Sequence, residues 1–383
     1  MKRHYKGLTW DHPRGYNALA AAAARLSELD DLAIDWDKQP LEGFESAPIA
    51  DLCERYDLVV LDHPHIGEAF AQDCLMPIDA VLPADALEKI SNAVIGPSLQ
   101  SYHYEGRLWA LPLDAATQVA ALRRDLLDTA VPTTWPEVLD LSKSGMVAMS
   151  AAGPHALLSF GSVCVALGAS PGLDDAYIGT EPGLDALDVL AGLYAQTPAA
   201  VLNLNPIGIL QLMATSDEVA YCPLIYGYVN YAAPDDPGHR PITFADAPAG
   251  PGGIGSTLGG TGLAVSRRTE ISDALVRHLL WLMSETAQCD FIPAHDGQPS
   301  LRRAWADKTV NARWGNFYLD TEATLEVAWV RPRFDGYIAF QTAASALLRE
   351  GFATRRPQRE LLDHLNRLYR NHRPQAGRPS ATL

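Results

Sequence analysis

Between Lys6 and Trp36 the chain runs strand, helix, strand, and this order constrains the fold more than any other feature of the sequence. Lys6–Trp10 reads as a short strand. Asp11-His12-Pro13-Arg14-Gly15 breaks it, and Tyr16–Leu29 follows as an Ala-rich helix of high intrinsic propensity. Leu32–Trp36 is a second strand with Ile34 and Trp36 on one face. A strand–helix–strand unit of this length implies two parallel strands joined by a crossover helix, the building block of an α/β sheet. A third strand, Asp57–Leu61, is apolar along its length, as a strand covered on both faces is. It ends in Asp62-His63-Pro64-His65, with a helix expected over Gly67–Leu75. Ligands of open α/β sheets bind beyond the carboxyl ends of the strands. That rule points jointly at Trp10–Arg14 and Asp62–His65, where the tripeptide Asp-His-Pro recurs.

Further along, Ser101–Leu113 reads as a hairpin turning at Glu105-Gly106. Val119–Arg123 is a strand, and Thr134 with Glu137 forms a capping box at the head of a helix. Met146–Ser150 and Val219–Ile225 read as strands of a second sheet, with helices over Ala156–Leu167 and Gly183–Tyr194 between them. Residues 232–256, rich in Pro, Gly and Asp, are expected to be irregular. Thr257–Ser266 is a Gly-rich turn and a strand. Helices are expected over Ala274–Ser284, Asp335–Leu348 and Arg359–Tyr369, and a frayed polar tail from Arg373 to Leu383. No internal repeat is visible.

At 383 residues the chain is long enough for two domains. The net charge of −16 argues against nucleic acid, whose phosphates demand a basic footprint. The basic stretch Arg349–Arg373 reads as the solvated face of a last helix. The five cysteines, Cys53, Cys74, Cys164, Cys222 and Cys289, are scattered without a CxxC, which speaks against a zinc site or a disulfide framework and weakly favours a reducing compartment. No run approaches the length of a membrane span. The start, MKRHYKGLTWDHPRG, has no apolar core of a signal peptide. The expected location is therefore periplasmic or cell-surface if an export signal was removed, and cytoplasmic if Met1 is the native start.

Several local patterns together resemble one family. They are Tyr104–Pro112 (YEGRLWALP), Pro132–Glu137 (PTTWPE), Leu258–Val265 (LGGTGLAV), Gly297–Ser300 (GQPS) and Val330–Arg333 (VRPR), followed by the closing helices. In this order they resemble the extracellular solute-binding proteins of ABC transporters (family 1), in the branch that includes maltose and other sugar binders. The resemblance implies an α/β, two-lobed, periplasmic-binding-protein-like fold of type II, each lobe a mixed, mostly parallel sheet flanked by helices. It assigns residues 1–113 and 241–290 to an N-terminal lobe, and 114–240 and 291–383 to a C-terminal lobe. It also implies a monomer that captures a small polar solute by hinge closure in the inter-lobe cleft and delivers it to an ABC permease, with neither nucleic acid nor membrane insertion involved.

Solute capture needs aromatic plates and a few placed polar groups. The candidates are Trp10, Asp11, His12 and Arg14 after the first strand, Asp62 and His63 after the third, and Asp114 at the first crossing between lobes. Tyr226 and Tyr228 flank Gly227 at a strand end in the second lobe. Gly260 is expected to offer backbone N–H groups, and Arg331 is either a cleft residue or half of an inter-lobe salt bridge. No GxSxG, HExxH or dinucleotide-binding fingerprint occurs, so no catalytic residue, metal or cofactor is expected. The solute is expected to be a saccharide, a polyol or a related hydroxylated compound, with an acidic sugar or carboxylate left open. The alternative is a cytoplasmic enzyme or sensor reusing the fold; in the enzyme, Asp11, His12, Asp62 and His63 would serve as acid–base groups.

Overall fold

The structure is a computed structural model that describes residues 3–29, 32–234 and 238–374. Most of the expected polar tail lies outside these residues. The chain opens with β1 (Arg3–Trp10), α1 (Pro13–Leu29) and β2 (Leu32–Gln39), with β1 and β2 parallel from Arg3↔Leu32 to Trp10↔Gln39. The helix starts three residues earlier than the sequence suggested. Pro13 supplies a preset φ to a first turn that needs no N–H there, so the segment that breaks the strand also begins the helix. β3 (Leu58–Leu61) lies parallel to β1 on its other side. The expected helix over Gly67–Leu75 is a short turn, His63–His65, followed by a helix over Ile66–Ala71, and then β4 (Leu75–Met76).

The first sheet is completed by β5 (Ala110–Asp114) and a late strand, Thr261–Ser266. The strand order is β2-β1-β3, then the late strand, then β4, with β5 also pairing to the late strand. That strand runs antiparallel to β3, β4 and β5 and bulges between Thr261 and Gly262. Its side chains join Leu8, Trp10, Val59 and Leu61 in one core with α1 and the helix Asp273–Leu282.

The second sheet contains β6 (Gln118–Leu122), β7 (Tyr221–Tyr226) and β8 (Thr243–Ala245), in the order β8-β6-β7, all antiparallel. Alternation along β6 explains why both its faces are apolar. Ala120 and Leu122 enter a core with the helices His155–Ala166, Thr180–Gln196, Tyr337–Thr354 and Gln358–His372. Val119 and Ala121 enter another with Trp305, Trp314 and Phe317. Of the basic stretch, Arg359, Arg367 and Arg370 lie on the outer face of the last helix, which buries Leu361, Leu362, Leu365 and Tyr369, whereas Arg349 belongs to the preceding helix and donates to Ala151 O and Gly153 O.

Three expectations are corrected. The second lobe does not hold a mostly parallel sheet: β6 pairs antiparallel with both β8 and β7. Met146–Ser150 is not a strand; only Val147 bridges to Tyr221. The segment expected to be irregular contains β8, which pairs with β6, and a small hairpin of Ala249–Gly250 with Gly253–Ile254. Residues 243–254 therefore pack with the second sheet, and the chain returns to the first near Leu258, later than the expected boundary at 241.

Three segments connect the two lobes: Ala115–Thr117, Leu258–Gly260 and the stretch from Ile292 to Leu301. Thr117 bridges Leu258. Gln298 ties the set together: its carbonyl accepts from Ala115 N–H (3.1 Å), its Nε2 donates to Ala115 O (3.1 Å), and its Oε1 accepts from Val229 N–H (2.9 Å). Every polar group in this buried junction needs a partner, and Ser162, Thr257, Ser256 and Gln118 supply them in a connected network.

Candidate functional site

The carboxyl ends of β1, β3 and β7 meet over the junction. Beyond them lies a cavity of about 50 Å³ lined by Trp10, Arg14, Asp62, Tyr226, Tyr228 and Gly260, together with Leu41, Phe44, Glu45, Gly259 and Thr261. A pocket beneath it reaches Asp114 and Gln298. A wider surface groove of about 830 Å³ runs between the helices Ala84–Ala93, Asp273–Leu282 and Arg302–Ala306. It is away from the strand ends, and its charged rim is largely paired within the protein, as in Arg303 with Glu285 and Arg302 with Glu326.

Arg14 organises one side of the cavity. Its Nε donates to Asp114 Oδ2 at 2.8 Å, its Nη2 to Asp114 Oδ1, and its Nη1 across the cleft to Gly227 O at 3.0 Å. The guanidinium lies 4.9 Å from the Tyr228 ring centre and 6.0 Å from that of Trp10. Burial opposes the Arg14 charge, but Asp114 more than offsets this and raises its pKa. Trp10 packs on Phe44 with ring centres 5.3 Å apart, and its Nε1 is buried without a hydrogen-bond partner. The Thr261 hydroxyl, at the bulge, is buried and unpartnered as well.

Asp62 and Arg331 organise the other side. Arg331, almost fully buried, donates from Nη2 to Asp62 Oδ2 at 2.5 Å and from Nη1 to Gln341 Oε1 at 3.0 Å. Burial alone would push the Asp62 carboxyl up, but Arg331 and His63 hold it well below its ordinary value. Asp62 Oδ1 accepts from the His63 N–H at 2.9 Å, capping the turn that follows. Tyr226 closes the wall, its ring so near Gly259 that a Cβ there would sit 2.5 Å from it. Between the two sides, Glu45 from the first core faces His155 Nε2 from the second at 3.5 Å.

Of the expected residues, Trp10, Arg14, Asp62, Tyr226, Tyr228 and Gly260 line one cavity, and Asp114 and Arg331 stand directly behind it. His12 caps Tyr228 edge-on at 4.7 Å, and its Nδ1 accepts from the Arg14 N–H. Burial and the Arg14 charge lower its pKa to about 4. His63 is fully enclosed against Tyr102 behind the wall, likewise held at about 4 by burial and then by Arg331. Asp11 is not brought in: it is exposed and paired with Lys38 at 2.7 Å. The geometry thus offers the acid–base alternative little, since Asp11 faces away and Asp62 is committed to Arg331.

Sequence reasoning missed Phe44, Glu45, Thr261 and His155. The strand-end rule held the signal for the first two, because Leu41–Ser46 follows the end of β2 just as His12 and His63 follow β1 and β3. Nothing local marks His155, at the head of a helix buried along almost its whole length. Among the described residues, no cluster of metal-ligating side chains occurs, and no helix is long and apolar enough to cross a membrane.

This architecture, two sheet-centred lobes joined by three crossings with strand-end loops facing a shared cleft, defines a two-lobed binding protein. The chain belongs to the bacterial extracellular solute-binding protein family, whose sequence model matches residues 47–314. No curated protein matches it. Among solved structures it is similar to an ABC transporter solute-binding protein from Agrobacterium radiobacter K84 in complex with ribitol (20% identity, TM-score 0.78, covering 96% of this chain and 98% of that one). It is also similar to maltose-bound MalE3 of T. maritima (15%, TM-score 0.79, 96% and 99%) and to the GacH receptor of Streptomyces glaucescens GLA.O (17%, TM-score 0.78, 97% and 98%). At these identities the likeness establishes the fold.

Proposed function

We propose that the cleft captures a neutral polyhydroxylated solute, a sugar or polyol, by parting and shutting of the lobes, and that the chain does no chemistry on it. The observation that carries this reading is the charge balance of the cavity. Arg14 is neutralised by Asp114 and Arg331 by Asp62, so neither guanidinium is free to pair with an anionic solute. His12 and His63, held near pKa 4, are uncharged at neutral pH. Among the described residues, this leaves Glu45 as the lining carboxylate that no arginine or lysine pairs with, facing only the His155 imidazole, and it disfavours a carboxylate or phosphate. Trp10, Phe44, Tyr226 and Tyr228 offer apolar faces for the C–H faces of a sugar, and Trp10 Nε1 and the Thr261 hydroxyl are buried groups that a solute hydroxyl can satisfy. The neighbours' solutes, among them ribitol, D-mannitol, α-D-tagatose and maltose, belong to this class. A cavity of about 50 Å³ is far smaller than such a solute requires, so admission needs the lobes to part. Membership of an extracellular family supports a location outside the cytoplasmic membrane. An ABC permease as recipient and a monomeric state complete the proposal.

A thermal-shift series tests it. Ribitol, mannitol, tagatose and maltose are compared with gluconate and glucuronate at millimolar concentration. A bound solute stabilises by RT ln(1 + [L]/Kd), about 2.7 kcal/mol at a hundredfold excess over Kd. A rise in Tm with at least one neutral compound and none with the acids is expected. A response to the acids alone would overturn the reading.

A further inference from the structure

The charge balance of the cavity leaves one group over. Glu45, on the short helix Leu41–Ser46, lines the cavity and is 20% exposed, and among the described residues no arginine or lysine pairs with it. Its Oε1 faces His155 Nε2 of the other lobe at 3.5 Å, longer than an ordinary N–H···O hydrogen bond. Its Oε2 faces the turn that precedes His155, where a Cβ on Gly153 would lie 3.7 Å away. His155 is 2% exposed, and neither of its ring nitrogens has a hydrogen-bond partner. The arginines of this region are engaged elsewhere: Arg14 with Asp114, Arg331 with Asp62, and Arg349 with the carbonyls of Ala151 and Gly153. Tyr226 stands edge-on to the His155 ring at 5.8 Å, and Phe44 lines the same cavity beside Glu45.

A solute hydroxyl carries one proton and answers one acceptor at a time. An ammonium carries three. It can donate at once to the Glu45 carboxylate and to the lone pair of a neutral His155 imidazole, with its charge resting against an aromatic face. We propose that the cleft takes the cationic amino counterpart of a sugar or polyol more tightly than the neutral compound, with the ammonium seated between Glu45 and His155. The inference rests on the cleft holding a polyhydroxylated solute, and it extends that class from neutral compounds to amino sugars and amino polyols. Entry of the ammonium parts the two side chains that face each other in the shut protein. One group of the guest then replaces a long contact between the lobes with a hydrogen bond to each of them, the one to Glu45 between opposite charges. The partial exposure of Glu45 keeps the cost of bringing a second charge to it low. The carboxylate that disfavours an anionic solute thus sets a preference for a cation, and Glu45 determines that specificity.

Calorimetry on the full chain at neutral pH tests this with matched pairs: D-glucitol against D-glucamine, and D-glucose against D-glucosamine. N-acetyl-D-glucosamine, whose nitrogen is uncharged, is the control. At least one amine should bind about tenfold more tightly than its hydroxyl counterpart, and N-acetylation should remove the gain. In Glu45→Gln the ratio of affinities within each pair should fall to about one, a readout that a general loss of affinity does not mimic. Should Glu45→Gln bind neither member of a pair, the comparison of D-glucosamine with its N-acetyl derivative in the parent decides. Neutral compounds that bind while no amine binds more tightly would overturn the inference and leave the sugar-or-polyol reading standing. A gain that survives Glu45→Gln or N-acetylation would overturn the assignment to Glu45, and silence from every compound would overturn both readings.

Discussion

Arg14 makes its hydrogen bonds inside the protein, to Asp114 and Gly227, and the residues around it inherit the consequence. Among the lining groups, Trp10 Nε1 and Thr261 Oγ1 are buried without a hydrogen-bond partner, while Tyr226 contributes a half-buried ring. Thr261→Val removes one buried hydroxyl at nearly constant shape and should weaken solute binding about tenfold, with Tm of the free protein within a few degrees of the parent. Tyr226→Ala should weaken it by more than about tenfold. Calorimetry reads both, and unchanged affinities would remove these residues from the site. The same environment sets a pH response. His12, His63 and His65 titrate near 4 in the folded protein against about 6.5 in the unfolded chain, burial being the largest cause in each. Between those values the unfolded chain binds more protons, so stability is fully present above about pH 6.5 and is lost as pH falls towards 4. The urea midpoint should drop across that window; a midpoint flat from about pH 7 to about pH 4 would contradict the burial of these imidazoles. Residues at strand ends were legible in the sequence because a rule of sheet topology locates them. His155 and Thr261 were not, because only the packing of distant segments aims them at the cavity.

At the scale of elements, the segment Leu258–Gly260 that carries the chain between the lobes leaves no room for a side chain at its end. Gly260 sits at φ +79°, and a Cβ there would lie 2.4 Å from Asp114 O, within the carboxylate segment that pairs with Arg14. Gly106, at the hairpin turn, has a similar φ of +75° but open space where a Cβ would go. Gly106→Ala should therefore cost only the left-handed backbone penalty, about 1 kcal/mol, whereas Gly260→Ala adds a steric clash and should cost clearly more, about 2–4 kcal/mol, with reduced solute affinity. Denaturant unfolding of the two variants separates the terms, and equal costs would refute the close approach at Gly260. Elements whose local chemistry and tertiary role agree were readable in advance. The capping box is present as expected, Glu137 accepting from Thr134 N–H at 3.0 Å, and the opening strand–helix–strand unit follows its pattern. β8 was not readable: Thr243–Ala245 is three residues amid Pro and Gly, extended only because β6 offers it an edge. Met146–Ser150 erred the opposite way, an apolar run that finds only one bridge.

At the scale of the whole molecule, polar contacts around the cavity span the cleft, among them Arg331 with Asp62, Arg14 with Gly227 O, and His155 facing Glu45. They make the closed arrangement self-sufficient, so a solute must compete with an existing latch to enter. The strongest of the three is the Arg331–Asp62 pair, nearly buried on the arginine side and 17% exposed at the carboxylate. Removing one partner of a fully buried pair costs about 3–5 kcal/mol, and partial exposure of Asp62 reduces that figure. Even 1.4 kcal/mol changes a two-state ratio tenfold. Asp62→Asn keeps the shape but removes the charge that Arg331 closes upon. The variant should populate the open form, with a larger radius of gyration by small-angle scattering than the parent, and a saturating solute should return it to the compact value. Solute affinity should fall at the same time, because the closed state that grips the solute has become rarer. If the scattering of Asp62→Asn matches the parent both with and without solute, the pair is not a latch, and the narrow cavity must be opened by some motion other than separation of the lobes.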